Sequence, residues 1–396
     1  MRPAQHTLSA GEVQHLCHQL LAPLLGTWPA VRRCTLDVVV ALLAYAAARA
    51  TSLADACARL ANAPDSDTAL GHLAGQLVDT HTLDRRARDV LAASLPRALR
   101  RGAWDVALDI TLIPYHGRPR RDPAEVYRSQ PKSGTTHFHA YATAFVARDG
   151  RRFTLALLAV AGGTPGHEVV RQLRRRVRAA GVTPRRLLLD RGFNNAGVVR
   201  YLQAARQPFV MPQAVHGKAP AGGRLCGLRA IRASHRTGWT AYSWQPDEGR
   251  RVSVDLCVVR RRRRDRRGHR AFLYACWGVR SAPAAVYRAY RLRFGIETSY
   301  RQMNQCRIRT TTRDPALRLL FVAVSLLLRN LWAWLHWVVL SSRRRGGRRL
   351  HLGRLRLRAL VLWLQHLAEQ AFGWRDQARA DRPPDEPLVN RRLRCP

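Results

Sequence analysis

The chain has almost no lysine and few acidic residues. Two of its 68 basic residues are lysines, and Asp and Glu together number 26 in 396 residues, so the formal net charge is +42. This excess of positive charge is typical of a protein that binds a polyanion such as nucleic acid. GC-rich coding explains arginine in place of lysine, but it also supplies Asp and Glu and does not explain the net charge.

Closely spaced cysteines are also missing. The eight cysteines are scattered, without a C-x-x-C pair or a tight Cys/His cluster, which argues against structural zinc and a disulfide framework. We expect buried thiols in a reducing compartment, and therefore a cytoplasmic, nucleoid-associated protein. The first thirty residues lack a signal-peptide pattern because His6, Glu12 and His15 interrupt any apolar region.

The longest apolar stretch is interrupted by charge. Leu319–Leu328 and Leu331–Leu340 are nearly all apolar, but Arg329 and Asn330 separate them. A membrane span would place Arg329 near its centre, at a cost of about 2.5–3.5 kcal/mol. We therefore predict a buried helix of a soluble core and no membrane partner, with a membrane protein as the alternative.

Hydrophobic periodicity predicts an α/β protein in several parts. Ala- and Leu-rich helical spacing predicts an N-terminal helical domain at 1–97, for DNA binding or dimerisation, with caps at Thr51-Ser52 and Asp65-Ser66. The next part reads β-β-β-α-β-α-β, which predicts a mixed sheet flanked by helices on both faces. The predicted elements of this part are strands at Trp104–Ile110, His137–Ala147, Phe153–Val160, Arg186–Asp190 and Pro208–Met211, a hairpin turn at Asp149-Gly150, and a helix capped by Asn194.

The remaining segments change character twice. Residues 213–280 are rich in β pattern and predict an insertion domain whose hairpin tip carries the arginine run 260–267. Residues 281–342 are helical and, together with 98–212, form the predicted catalytic domain. Residues 343–396 predict a basic C-terminal helical region and tail, beginning with the arginine cluster 343–349. We expect both arginine clusters to contact phosphates, with a solvated surface as the alternative.

Three acids stand in contexts that suit a metal site. Asp109 lies near the end of a strand and Asp190 ends another, so both carboxylates project at one edge if the strands are neighbours. Glu297 lies on a predicted helix whose sheet-facing side carries Phe294 and Ile296. Carboxylate oxygens suit Mg²⁺, and two such ions can catalyse phosphodiester chemistry. Singly, each acid is more simply explained as a cap of the next turn.

The sequence around the three acids resembles DDE transposases of prokaryotic insertion sequences. The resembling motifs are L-D-I-T-L-I-P-Y-H-G (Leu108–Gly117), L-L-L-D-R-G-F (Leu187–Phe193) and Y-R-L-R-F-G-I-E-T-S-Y-R (Tyr290–Arg301). The nearest branch is the insertion-sequence-four superfamily, including its haloarchaeal-type members. The resemblance spans about 105–340. It implies an RNase H-like fold with a β-rich insertion before the third acid, and Mg²⁺ dependence, with Mn²⁺ able to substitute. It implies Asp109, Asp190 and Glu297 as catalytic metal ligands.

That branch also carries the signature Y-x2-R-x3-E-x6-K. Tyr290, Arg293 and Glu297 fit it, and their spacing places them on one face of an unbroken helix. The final position is Asn304 instead of Lys. Candidates for the missing phosphate contact are the nearby Arg301 and Arg307.

The resemblance predicts a DNA transposase that cleaves transposon ends and transfers the 3′-OH into target DNA. Its partners would be double-stranded DNA and a second copy of the chain in a homodimeric synaptic complex. Trp239 and Trp244 are candidates for stacking on an extruded base, with sheet packing as the alternative. A nuclease of the same fold without strand transfer, or a non-enzymatic or degenerate nucleic-acid-binding protein, would share many of these features.

Overall fold

The fold is mixed α/β, with a large sheet flanked by helices. The computed structural model describes residues 7–29, 31–77, 79–148, 152–213, 215, 225–246, 249–262, 269–345 and 347–377. The predicted turn at Asp149-Gly150, most of the arginine run 260–267 and the end of the C-terminal tail lie outside these residues.

Helices dominate the two ends of the chain. In chain order the described α-helices are α1 (Ala10–Leu25), α2 (Leu36–Arg49), α3 (Leu53–Arg59), α4 (Ser66–Gln76), α5 (Thr80–Ala93), α6 (Gly166–Ala179), α7 (Ala196–Ala204), α8 (Gly227–Ser234), α9 (Pro283–Arg291), α10 (Gly295–Gln305), α11 (Pro315–Trp334) and α12 (Leu357–Phe372). The helical prediction for the first part is confirmed, and Ser52 and Asp65 cap α3 and α4 with side-chain oxygens. Asn195 caps α7, so the predicted cap at Asn194 is wrong by one residue.

The strands form one mixed sheet and one short hairpin. They are β1 (Ala103–Pro114), β2 (Tyr127–Lys132), β3 (Thr135–Val146), β4 (Thr154–Val160), β5 (Thr183–Leu189), β6 (Phe209–Pro212), β7 (Gly238–Trp244), β8 (Val252–Arg262), β9 (His269–Trp277), β10 (Ser342–Arg344) and β11 (Gly347–Arg349). In the described chain, the sheet order is β2-β3-β1-β5-β6-β9-β8-β7, and β4 also pairs with β3. The β-rich segment predicted as an insertion thus extends the central sheet through the antiparallel β6–β9 pair.

The two faces of the sheet carry different helices. Val106 and Leu108 of β1 share an apolar cluster with α6 and α7, whereas Ala107 shares one with Tyr290 and Ile296, on the side of α9 and α10. Because strand side chains alternate between faces, Asp109 belongs to the face covered by α9 and α10. Strand alternation therefore determines which helices surround the first acid.

The N-terminal helices share a core with the C-terminal part of the chain. Buried residues of α1 to α5 belong to the same apolar cluster as those of α11 and α12. Residues 315–339, which comprise α11 and a π-helical turn, form the one described helix long and apolar enough to cross a membrane, and 94% of its apolar window is buried. This burial favours the prediction of a core helix.

Candidate active site

Two of the three predicted acids lie side by side. Strands β1 and β5 are parallel neighbours, and Leu108 is the register partner of Leu189. Asp109 follows Leu108, and Asp190 follows Leu189. Both acids lie on the face of the sheet that α9 and α10 cover. The two strands are therefore neighbours, which is the condition on which the expected common edge depended. Asp109 is mostly buried, with 17% of its side chain exposed, whereas Asp190 is 42% exposed.

A single guanidinium lies between the two aspartates. Arg293 Nη2 donates to Asp190 Oδ1 over 2.6 Å, while Nη1 lies 3.6 Å from Asp109 Oδ2. The longer contact is an ion pair without a hydrogen bond, and among the described residues this buried Nη1 has no hydrogen-bond partner. Arg293 thus places one positive charge where two negative side chains converge.

Tyr290 fixes the arginine against the strand. Its hydroxyl donates to the carbonyl of Leu189 over 3.2 Å and accepts from Arg293 Nε over 2.9 Å. Burial raises the pKa of Tyr290, so its hydroxyl stays protonated and available as a donor. The tyrosine therefore links the backbone next to Asp190 to the guanidinium.

The pKa of Asp109 reflects its crowded surroundings. Burial raises this pKa to about 6, Arg293 opposes the rise, and the carboxylates of Asp190 and Glu297 add to it. The contribution of Glu297 means that the third acid acts electrostatically on the first. A cation bound among these groups would offset the cost of burying the charged carboxylate and would reduce the repulsion between the carboxylates.

Glu297 occupies a different position from the one the spacing predicts. Residues 292–294 form a 3₁₀ turn between α9 and α10, so the helix is not continuous. A 3₁₀ turn advances about 120° per residue instead of about 100°, which rotates α10 by about 60° over three residues. Tyr290 and Arg293 are buried, whereas Glu297 is exposed, so the expectation of one shared helical face is wrong.

The same rotation changes the residues beside Glu297. Phe294 is 49% exposed, so its predicted contact with the sheet is wrong, while Ile296 is buried as predicted. Tyr300 shares a 2.7 Å hydrogen bond with Thr143, the partner of Asp109 across the β1–β3 pair. Helix α10 is therefore attached to the sheet through Ile296 and Tyr300.

The donor set suits a hard cation, although the three carboxylates are not gathered around one point. Asp109 and Asp190 supply carboxylate oxygens on either side of the positively charged guanidinium of Arg293. Within the described ranges, no three His, Cys, Asp or Glu side chains are grouped closely enough to hold a metal ion. Two aspartates thus form the centre of the candidate metal site, with Glu297 outside it.

The other candidate residues are dispersed. Arg301 is exposed on α10, and Arg307 is half-buried just beyond that helix. Asn304, at the expected lysine position, accepts a 3.2 Å hydrogen bond from Arg307 Nε through its Oδ1. The side chain that replaces lysine therefore orients a neighbouring arginine.

The two tryptophans lie far along the sheet. Both are on β7, five strand positions from β1 and thus about 24 Å away at about 4.8 Å per strand. Trp239 packs against the apolar cluster that contains Tyr290, and Trp244 stacks on Tyr242 at 5.9 Å. Both are half-buried, as expected if they pack within the sheet.

The sequence analysis missed a group of arginines near the site. Arg309 and Arg318 line a cavity together with Arg307. The sequence signal was the dense run of basic residues between Arg307 and Arg318, directly after the third acid's helix. The cavity that they line has walls from α4, the end of β1 and the segment before α11, which are distant in the chain, so the run alone did not reveal it.

A comparison with known families identifies the class of protein to which the chain belongs. The family described as "Transposase DDE domain" matches residues 100–331, which is more than half of the chain. The chain belongs to this family. It is therefore a transposase, an enzyme class whose substrate is DNA and whose members are expected to be soluble and cytoplasmic. No curated protein matches the chain.

Proposed function

We propose that the protein cleaves the ends of a transposable element and joins the freed 3′-OH to target DNA. Water attacks a phosphodiester at the element's end, so that the cut strand carries a 3′-OH on one side of the break and a 5′-phosphate on the other. The 3′-OH then displaces a 3′-oxygen in the target strand and forms a new phosphodiester. The observation that carries this proposal is the pairing of Asp109 and Asp190 around one cationic group inside the matched region.

The central strands support an RNase H-like core. Strands β4, β3 and β1 are antiparallel neighbours, and β5 and β6 follow as parallel strands on the other side of β1. Helices α6 and α7 connect the later strands across one face. Hairpin-linked strands followed by α/β units are the arrangement that the family resemblance implies. The proposed family branch is the insertion-sequence-four superfamily.

Asp109 and Asp190 are the proposed ligands of Mg²⁺, which Mn²⁺ can replace. Glu297 is the proposed third ligand, and because it lies apart from the two aspartates, α10 would have to move towards them for it to bind the same ion. When bound, such ions polarise the phosphate and lower the pKa of a bound water. The residues of the chain have separate tasks: the aspartates orient oxygens at the strand edge, and Tyr290 keeps Arg293 within reach of a phosphate. Arg293 would then exchange its carboxylate contacts for a phosphate oxygen, a partner that suits a guanidinium.

The proposed partners follow from charge and from the arrangement of helices. A net charge of +42 favours binding along a DNA backbone and association with the nucleoid. The helices of residues 1–97 are proposed to contact DNA or a second copy of the chain in a homodimer. Arg301 and Arg307 are proposed phosphate contacts, and Trp239 and Trp244 remain candidates for base stacking.

The decisive experiment removes one of the paired acids. We expect Asp190→Ala to abolish Mg²⁺-dependent cleavage of linear DNA that carries the sequences flanking the gene, while binding of that DNA in EDTA is retained. Asp255→Ala, which removes an exposed acid from β8, is the matched control and should cleave normally. Cleavage by the Asp190→Ala protein at the wild-type rate would refute the proposed site.

A second assay separates transposition from simple hydrolysis. The wild-type protein, given pre-cut ends with free 3′-OH groups and a circular target, should yield joined products. A nuclease of the same fold would leave the target unjoined. A degenerate DNA-binding protein would neither cut nor join, and its DNA binding would be the same with and without Mg²⁺.

A further inference from the structure

A large cavity opens beside the candidate active site. It has a volume of about 990 Å³ and lies between α3, α4, the end of β1 and the segment that joins α10 to α11. Five arginines line it, and we call this site the arginine cleft: Arg120, Arg307, Arg309, Arg313 and Arg318. It is separate from the paired aspartates and has no part in the chemistry proposed above.

The arginine cleft carries a large excess of positive charge. Its lining contains one acid, Asp314, which pairs with Arg120 and caps α11 by accepting from the backbone N–H groups of Ala316 and Leu317. Within the described part of the chain, Arg307, Arg309 and Arg318 have no carboxylate partner. Burial, Arg309 and Arg318 lower the pKa of Arg307 to about 10. The cleft therefore carries positive charge that no carboxylate of the described residues balances.

The cleft is held in shape before any ligand arrives. Arg318 Nε donates to the carbonyl of Thr312 over 2.6 Å, and its guanidinium lies over the ring of Tyr115 at 4.6 Å. The backbone N–H of Arg309 donates to the carbonyl of Thr51 over 2.8 Å, which joins this wall to the start of α3. Arginines placed in advance lose less entropy on binding than flexible surface side chains.

The strand that carries Asp109 leads into the cleft. Tyr115 lies just beyond the end of β1. Asp109 and Ile113 belong to the same face of this strand, and Ile113 lines the cavity. Four residues along a strand span about 13 Å. The arginine cleft therefore begins about 13 Å from Asp109.

We propose that the arginine cleft binds the sugar-phosphate backbone of a DNA strand, about 13 Å from the phosphodiester held at Asp109 and Asp190. The proposal rests on DNA being the substrate, but it does not depend on cleavage. Arginine forks suit backbone phosphates and read no base sequence, so the cleft would position the strand without selecting it.

A glycine in the wall permits a clean test. Gly71 of α4 lines the cleft, and a Cβ added there meets no atom within 4 Å. Gly71→Glu therefore brings negative charge to the cleft from a position with open space around its Cβ, and a helical glycine gains helix propensity when replaced. Gly353→Glu is the matched control, because a Cβ at Gly353 is equally free of contacts and Gly353 lies outside both the arginine cleft and residues 1–97.

The measurement is the anisotropy of a fluorescein-labelled duplex in EDTA at several salt concentrations. We expect Gly71→Glu to weaken binding on the order of tenfold at low salt, with a smaller loss at high salt. The Arg307→Gln/Arg309→Gln double variant should reduce the slope of log K against log salt by about 1.8, since two phosphate contacts are lost. Gly353→Glu should behave like the wild type. The assay contains EDTA and measures binding only, so a protein that cannot cleave DNA would give the same results.

Two results would overturn the proposal. One is unchanged duplex affinity and salt slope in both cleft variants, with circular dichroism confirming that they are folded. The other is micromolar binding of pyrophosphate by calorimetry, lost in Gly71→Glu while duplex binding stays intact, which would assign the cleft to a free phosphate ligand. Millimolar competition by pyrophosphate, together with weakened duplex binding, supports the DNA backbone as occupant.

Discussion

Arg293 is the residue on which the candidate site is centred. Burial by itself lowers the pKa of its guanidinium, but Tyr290 and the carboxylates of Asp190 and Asp109 outweigh this effect and raise the pKa. The arginine is therefore permanently charged and acts as a counter-ion for the aspartates. A metal ion entering between the two carboxylates competes with it directly.

This competition predicts opposite effects on metal binding and catalysis. Arg293→Gln removes the resident charge, so we expect Mn²⁺ affinity to rise on the order of tenfold, as seen by electron paramagnetic resonance. Cleavage should fall, because the phosphate loses its guanidinium partner. Arg291→Gln, which replaces an exposed arginine of α9, should change neither quantity. Unchanged Mn²⁺ affinity in Arg293→Gln would contradict the counter-ion role.

The raised pKa of Asp109 predicts a pH-dependent stability. With a pKa of about 6 in the folded state, Asp109 keeps its proton better there than in the unfolded chain, so stability falls as pH rises from about 4 to 6. The full penalty above pH 6 is about 3 kcal/mol. Asp109→Asn should avoid it and, in EDTA, unfold at higher urea than the wild type at pH 8. The difference should shrink towards pH 4, and equal midpoints at pH 8 would argue against this cause.

At the level of elements, the adjacent strands and the broken helix have different origins. The proximity of Asp109 and Asp190 was predictable because each follows a short apolar run, and parallel neighbouring strands place such runs side by side. The expectation that Asp109 stands near a strand end is wrong, because β1 continues to Pro114. The orientation of Glu297 was not predictable, since the 3₁₀ turn at 292–294 changes the helix phase. The spacing of the motif does not encode such a turn, which also contains the buried Arg293.

Other elements differ from their predictions for similar reasons. Strand β2, mostly exposed and polar, lacks the apolar alternation that identifies a strand, so only its pairing with β3 reveals it. The cap of α7 fell on Asn195 because Asn194 donates instead to Pro212 and Gln213. The arginine cleft required tertiary structure, because its walls come from β1, α4 and the segment before α11.

Helix α11 contains a polar residue that serves the neighbouring backbone. Asn330 is buried, and its side chain accepts from the N–H of Thr154 over 2.9 Å and donates to the carbonyl of the same residue over 2.8 Å. It therefore satisfies both backbone groups at the start of β4. A polar side chain in an apolar helix is explained here by the edge of the sheet.

Removing this amide should destabilise the protein. Asn330→Ala leaves the buried backbone groups of Thr154 without partners, and we expect a loss of about 2–4 kcal/mol in the free energy of unfolding. Asn304→Ala, at an exposed position of α10, should change stability by less than about 0.5 kcal/mol. Urea denaturation compares the two variants, and equal stabilities would exclude the proposed role of Asn330.

For the whole molecule, the burial of α11 determines how the protein should fractionate. The apolar window of residues 315–339 is covered by the rest of the chain, and Arg329 within it bonds to the carbonyl of Arg152. We expect the expressed protein to stay in the supernatant after high-speed centrifugation at high salt, which releases it from nucleic acid. Recovery with the membrane pellet after nuclease and salt treatment would instead support a spanning helix.

The shared core of α1 to α5 with α11 and α12 has a consequence for biosynthesis. The ribosome produces the first five helices long before residues 315–372, on which their apolar sides depend. Until translation nears completion, those sides stay open to chaperones and proteases. Nascent chains halted before residue 315 should therefore be degraded quickly, and an intact protein should appear only when synthesis has reached α12.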